Sequence, residues 1–579
     1  MRKIYYISIL LLSSFIGYSC SKNSENKETN NQISTFCNPM DLSYRFTINK
    51  GYSFREAADP TMVSYKGDYY LFASKTGGYW YSNDLKNWNL VLTNEIPTED
   101  YAPTAIVMRD TLFFVASSKK PNKVFKSVDP KSGKWEYVKT LESDAWDPCF
   151  FMDDDNKLYY YWGCSDKEPL YGVNMDPYNF NYLTEKTKLI TANPKEYGWE
   201  IRGDYNTQKD ISPWIEGAWV NKIGNKYYLQ YAAPGTLEKS YCDAVYVAEN
   251  PLGPFRLAQH NPFAYKPEGF ACGAGHGSTF TDKYGNLWHV GTVTVSVKYK
   301  FERRLALYPA FVDKNGEMYM YNRFGDYPII IPEKKIETPD EVFPGWMLLS
   351  YNKNVEVSSS ENSYIPGNMV DENIRTYWSA KTGNKNEWAI IDLGKSCDIY
   401  SIQLNLAEHN TTVQGRKNGI KNRFTIECST NKKDWTVICD KSQNETDNTH
   451  QYIELPNVTK ARYIKVKNIE VADGTFAISD LRVFGKSDIN IPESTQFTQV
   501  KRNNEDRRDV ALSWKKSDNA IGYNIKYGSA EDMLYNNYMV YSDTTVTIRS
   551  LNANQSYHFS VEAFNEGGIS DISDIVDIK

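Results

Sequence analysis

The sequence predicts an all-β chain: a ring of five small antiparallel sheets followed by two β-sandwiches. Three observations carry that reading. A strand–turn–strand pattern returns five times before residue 335. Residues that favour strands are abundant, with 44 Tyr and 14 Trp. Beyond residue 335 the pattern changes twice, each time into new short alternating runs.

The repeat reads "DPTMVSYKGDYYLFAS" from Asp59, "APTAIVMRDTLFFVASS" from Ala102 and "DPCFFMDDDNKLYYYWG" from Asp147. It continues as "EGAWVNKIGNKYYLQYA" from Glu216 and "HGSTFTDKYGNLWHVGT" from His276. The copies start 43, 45, 69 and 60 residues apart, which is blade-sized spacing for a five-bladed β-propeller over residues 37–335. The innermost strand of a blade runs along the central axis, so its first residue sits at one mouth of the channel. Asp59, Ala102, Asp147, Glu216 and His276 should therefore converge. Three carboxylates brought together repel one another, a cost that points to function.

Bulk properties narrow the classes. At 579 residues the chain needs several cores. A net charge of −6 argues against nucleic acid as a partner. Arg2 and Lys3 precede a short apolar run ending in Gly17–Tyr18–Ser19–Cys20. This reads as a secretory signal over residues 1–20, too short to span a membrane, and its end resembles a bacterial lipobox with Cys20 as the lipidated residue. A polar tether over 21–36 follows. The expectation is an extracytoplasmic lipoprotein, on the outer membrane or cell surface or in the periplasm, acting as a monomer. The eight further cysteines show no CxxC pair, so neither a zinc site nor a disulfide scaffold is indicated. "DDDN" at Asp153 lacks the glycine of a calcium loop and reads as a turn.

Two carboxyl groups can break a glycosidic bond, one as proton donor and one activating water or attacking directly, while a third can tune the donor. Asp59, Asp147 and Glu216 supply that set. Glu200, Asp204 and Glu268 lie in long insertions and are rivals, Glu200 foremost. Trp80, Trp146, Trp199 and Trp214 flank the candidate positions, and each is a sugar platform or core. Arg303 and Arg304 follow blade five, where one would bond a sugar hydroxyl or a neighbouring acid.

The motifs "AADP" with Asp59, "WDP" with Asp147, "IEGAW" with Glu216 and "GAGHGS" with His276 stand in family order on successive blades. On these residues the chain resembles glycoside hydrolase family 43. The resemblance implies Asp59 as general base, Asp147 as pKa tuner, Glu216 as general acid, and inversion at the anomeric carbon. It makes His276 a residue near the channel centre, beside a bound calcium or other ion or in a purely structural role. No organic cofactor is implied. Tyr101 stands where many members carry Trp, a change in the pocket wall.

Residues 350–487 resemble a discoidin-type sandwich of the carbohydrate-binding module family 32 kind, through "YWSA", "WAIIDLG", "RYIKV" and "ISDLRVFG". Its polar loop "AEHNTTVQGRKNG" from Ala407 is the candidate ligand loop, and the resemblance implies a structural calcium near Asp371. Residues 488–579 resemble a fibronectin type III module, with Trp514, Tyr523, Leu551 and Tyr557 in the core positions and a spacer role expected. Together these readings predict an exo-acting, inverting enzyme on a polysaccharide or oligosaccharide, removing terminal α-L-arabinofuranosyl, β-D-xylosyl or β-D-galactofuranosyl residues. The rival is a non-catalytic glycan-binding surface lipoprotein.

Overall fold

A computed structural model describes residues 33–579 apart from 118–120 and 143–144. The leader, Cys20 and most of the tether lie outside the described residues. No helix among the described residues is long and apolar enough to cross a membrane.

Five four-stranded antiparallel sheets form the propeller. Their inner strands are Ala58–Tyr65, Thr104–Met108, Cys149–Met152, Glu216–Ile223 and Gly275–Thr281, neighbours in ring order with the last beside the first. The aromatic excess is largely glue between blades. Phe72, Tyr79, Phe114 and Trp135 pack between blades one and two, and Phe113, Phe150, Tyr160 and Phe180 between two and three. Thr35–Phe36 pairs antiparallel with Ile329–Ile330, and the Asn38 side chain bonds the carbonyls of Leu307 and Gly325. The propeller therefore begins before residue 37, and the expected tether through 36 is shorter.

The discoidin-like unit centres on two long strands, Trp388–Leu406 and His450–Glu470, whose register shifts at Asp392/Cys397 and Ile399/Ser401. Such bulges bend a strand, and both strands contribute to one core with Trp378, Phe424 and Phe476. The last unit splits into three-stranded and five-stranded sheets around Trp514, Tyr523, Leu551 and Tyr557, as expected.

The units are not beads on a string. The segment that leaves the propeller buries Ile336, Val342, Trp346, Met347 and Leu348 in a cluster shared with propeller residues, Phe484 of the second unit and Phe564 of the third. Arg482 makes a bidentate pair with Glu372 at 2.7 and 2.9 Å and also donates to the backbone carbonyl of Asp326 in the propeller. Arg55 and Arg304 of the propeller both bind Glu408 of the second unit, at 2.9 and 3.0 Å. Much of the 407–419 loop, expected to hold ligand, is engaged in this contact, while Lys417, Asn418 and Gly419 stay exposed. Gly415 bridges Phe46, Val413 accepts from Ser53, and Arg416 donates to the carbonyls of Thr76 and Ser43.

The third unit is likewise a clamp, contrary to the spacer expectation. Gly198 donates to the carbonyl of Leu551, Lys209 pairs with Asp506, and Tyr535 stacks on Tyr319 at 3.9 Å. A Cβ on Gly198 would lie 2.1 Å from the Arg549 carbonyl, so this joint admits only glycine.

Removing one partner of a buried pair leaves the other charge uncompensated. Arg482→Met should therefore destabilise the protein by about 3–5 kcal/mol, read as a lower denaturant midpoint. An unchanged midpoint would mean that this contact is incidental.

Candidate active site

Each blade opens on a residue forced into the left-handed region. The φ values are 52° at Asp59, 44° at Ala102, 51° at Asp147 and 46° at His276. Non-glycine residues hold this conformation at a cost of roughly 1–2 kcal/mol each, and such strain concentrates at functional sites. In blade four the left-handed residue is Gly217, with φ 64°. Glu216 thus stands one residue ahead of the position that Asp59 and Asp147 occupy. The offset has a packing reason: the His276 ring lies against Gly217, where a Cβ would come within 2.7 Å of the imidazole.

Asp59 is buried and held by three groups. Ser74 Oγ donates to it at 2.6 Å, Arg303 Nη1 lies at 3.3 Å and His276 Nδ1 at 3.4 Å. Burial pushes the carboxyl upward, but Arg303, His276 and the Ser74 hydrogen bond outweigh it and hold Asp59 below the usual range. Asp147 differs. Burial, with Glu216 and Asp59 nearby, pushes it up to about 7 against the pull of His276. Glu216 accepts from the Tyr241 hydroxyl at 2.5 Å and the Cys164 thiol at 3.2 Å. His276 is 3.8 Å from Asp147, and burial lowers its pKa while the surrounding acids raise it, with a net upward shift. A carboxyl held low beside one pushed up is the division of labour that general acid–base chemistry requires.

Several expected site residues stand elsewhere. Trp80 and Trp199 are 1 % and 0 % exposed and belong to the hydrophobic core. Trp199 stacks on Tyr197 and donates to the Tyr231 hydroxyl at 3.0 Å, so neither ring is a sugar platform. Arg303 is 2 % exposed, with its guanidinium on Glu56, Asp59 and Thr236. It is a positioning residue for Asp59, not a sugar ligand. Arg304 serves the second-unit interface. Tyr101 is half-buried over the Arg303 guanidinium and edge-on to Phe301, and so helps to wall Arg303 in. Trp146, beside Asp147, is 42 % exposed, and half-buried Trp214 donates its indole N–H to Cys164 at 3.0 Å. Both remain candidates for the pocket wall.

The rival acids are engaged. Glu200 is buried against the Tyr231 hydroxyl and the Asn193 N–H, Asp204 pairs with Arg375 of the second unit, and Glu268 accepts from Tyr538 of the third.

Residues not anticipated complete the site. Asp243 accepts from the backbone N–H groups of His276 and Gly277 at 2.7 and 2.9 Å, fixing the strained turn. Ser74, Tyr241 and Cys164 supply the hydrogen bonds already described. Ser74 was discoverable: it ends the second strand directly across from Ala58. Nothing in the local sequence marks Asp243.

Calcium takes six to eight oxygen ligands. Beneath His276, Asp243 is engaged by N–H groups, and buried His289 faces the Ala274 carbonyl and Thr279. Asp147, Cys164 and Glu216 have donor atoms within 4.8 Å of one another, but one of them is a soft sulfur. At Asp371 the carboxylate oxygens accept from the Asn373 N–H and the Thr376 hydroxyl, and Glu372 is paired with Arg482. At Asp243 and Asp371 alike the carboxylates are already engaged by protein hydrogen-bond donors.

Residues 54–318 match the family model for glycosyl hydrolases family 43. The propeller belongs to glycosyl hydrolase family 43. Residues 354–479 match the F5/8 type C domain and 495–579 the fibronectin type III domain, in agreement with the architecture above. A beta-xylosidase of Xylanibacter ruminicola is 25 % identical over 126 residues, covering 19 % of this chain and 38 % of its own. A relative from Escherichia coli (strain K12) is 26 % identical over 274 residues, 41 % of this chain and 47 % of its own. The chain spans less than half the length of either relative. Among solved structures, a glycoside hydrolase aligns with a TM-score of 0.46 at 16 % identity, over 74 % of this chain and 97 % of that one. A xylan beta-1,4-xylosidase from Bacillus Halodurans C-125 aligns with a TM-score of 0.41 at 14 % identity, over 94 % and 96 %.

The geometry of the family 43 domain makes Arg303 the group that keeps Asp59 ionised in acid. Arg303→Met should move the acidic limb of the kcat/KM profile up by about one unit or more. An unmoved limb would mean that Asp59 does not depend on this cation.

Proposed function

We propose that the protein is an inverting, exo-acting glycosidase that removes terminal β-D-xylosyl or α-L-arabinofuranosyl residues. The observation that carries the reading is the split between Asp59, held low, and the Asp147–Glu216 pair, held close together with Asp147 raised to about 7. Ionised Asp59 accepts a proton from water as the water attacks the anomeric carbon. Glu216 delivers its proton to the leaving oxygen. Asp147 orients the acid and tunes it by like-charge repulsion. Because water, not a carboxylate, attacks the sugar, the anomeric configuration inverts.

The similarity to a protein named as a beta-xylosidase supports the sugar class. Exo action is supported by the insertions on the mouth side of blade four, which the second and third units brace through Arg375–Asp204 and Leu551–Gly198. A β-D-galactofuranosyl terminus is the nearest variant. The leader supports export and a lipid anchor at Cys20, with the enzyme at the outer membrane or cell surface or in the periplasm.

Incubation with xylo-oligosaccharides, arabinoxylan and arabinan should release a monosaccharide from one of them. General acid and base groups each contribute typically 10²–10⁴-fold. Glu216→Ala and Asp59→Asn should each lose about that much with glycan substrates. Wild-type kcat/KM should fall as pH rises through about 7, where Asp147 loses its proton. Release of mid-chain fragments would overturn exo action. Glycan binding without release would favour the binding-lipoprotein alternative.

A further inference from the structure

Cys164 is the one described cysteine that is not fully buried. It follows the second strand of blade three, Leu158–Trp162, and so lies at the mouth. A two-way backbone bridge pins it there: Ser165 and Ile215 exchange hydrogen bonds of 3.0 Å each. The Trp214 backbone is tied in turn to the Pro234 carbonyl at 2.9 Å. This bridge sets Cys164 and Trp214 beside Glu216, the residue that follows Ile215.

We propose that Cys164 is a positioning residue for proton delivery, its thiol oriented by Trp214 so that it donates to Glu216 as that carboxyl gives up its proton. The inference rests on the glycosidase reading above. The Trp214 indole N–H donates to the sulfur at 3.0 Å and occupies its accepting side. The S–H then faces Glu216 Oε2, 3.2 Å away, with Asp147 also within its reach, while Tyr241 holds Oε1. Burial and the two neighbouring carboxylates raise the thiol pKa, so Cys164 is a protonated donor and not a thiolate nucleophile.

The choice of sulfur has a physical consequence. A thiol is a weak donor. Tyr241 already gives Oε1 a strong donor, and a second one on Oε2 would stabilise the ionised acid further and drain the proton that catalysis needs. A weak one tolerates the protonated acid and gains strength as negative charge develops on Glu216, because hydrogen bonds to ionised groups are the stronger ones. The proton itself moves from Glu216 to the glycosidic oxygen, and Cys164 keeps its own throughout.

This account makes opposite predictions for two small substitutions. Cys164→Ala removes the donor, so the basic limb of the kcat/KM profile should move to higher pH. Cys164→Ser installs a stronger donor, so the limb should move to lower pH. Cys164→Ala should also slow cleavage of xylobiose, which needs a proton on its leaving group, by about tenfold, the equivalent of one ordinary hydrogen bond. It should leave 2,4-dinitrophenyl β-D-xyloside, whose leaving group needs none, within about twofold. If wild type prefers arabinofuranosides, the corresponding pair of substrates is used. Limbs that do not move, limbs that move the same way in both variants, or equal slowing of both substrates would each overturn the inference and leave Cys164 a packing residue. A wild type inactive on every glycoside overturns the glycosidase reading itself, and this inference with it.

Discussion

Three buried carboxylates gathered at one channel mouth are the constraint on which the rest of the structure depends. Left alone, they would repel one another and resist ionisation. The protein resolves this asymmetrically. Asp59 receives a cation, an imidazole and a hydroxyl, through Arg303, His276 and Ser74. Asp147 and Glu216 receive closeness to each other and the neutral donors Tyr241 and Cys164. One acid is thereby committed to its charge while Asp147 is pushed toward its protonated form. The strained, left-handed start of each blade is what aims these side chains inward, and the Asp243 carboxylate ties down the turn that carries His276.

The accessory units matter to this arrangement through its walls. The second unit grips the mouth side of the propeller at Thr76, Asp204 and Arg304, and the third holds the 193–209 insertion through Leu551 and Asp506. Insertions without such braces would carry backbone polar groups that only water could satisfy. Here Arg482–Glu372 and Glu408 with its two arginines tie second-unit charges into the joint with the propeller. The discoidin-like unit therefore presents to the propeller part of the 407–419 loop expected to meet glycan.

Legibility in the sequence followed the range of each interaction. The blades were readable because the strand–turn–strand repeat is local, and Asp59, Asp147, Glu216 and His276 were readable because they lead those repeats. The one-residue offset at Glu216 was not readable, since it arises from Gly217 yielding space to His276, a residue 59 positions away. Trp80 and Trp199 misled for a related reason: adjacency to a site in sequence does not say which face of the strand or loop a ring occupies. Arg303 was correctly singled out, but its choice of an acid over a sugar is set by burial that only the folded ring creates. Asp243 and the docking of the 407–416 loop left no local trace at all, because their partners come from other blades or another unit.

The stereochemistry of the first-formed product tests the central division of labour most directly. Cleavage of a β-D-xyloside, or of an α-L-arabinofuranoside if that is the preferred substrate, can be followed by ¹H NMR before the released sugar mutarotates. With Asp59 serving as base to a water, the sugar must appear first with the opposite anomeric configuration. A product that appears first with its configuration retained would mean that a carboxylate attacks the sugar directly, and would contradict the roles assigned here to Asp59 and Glu216.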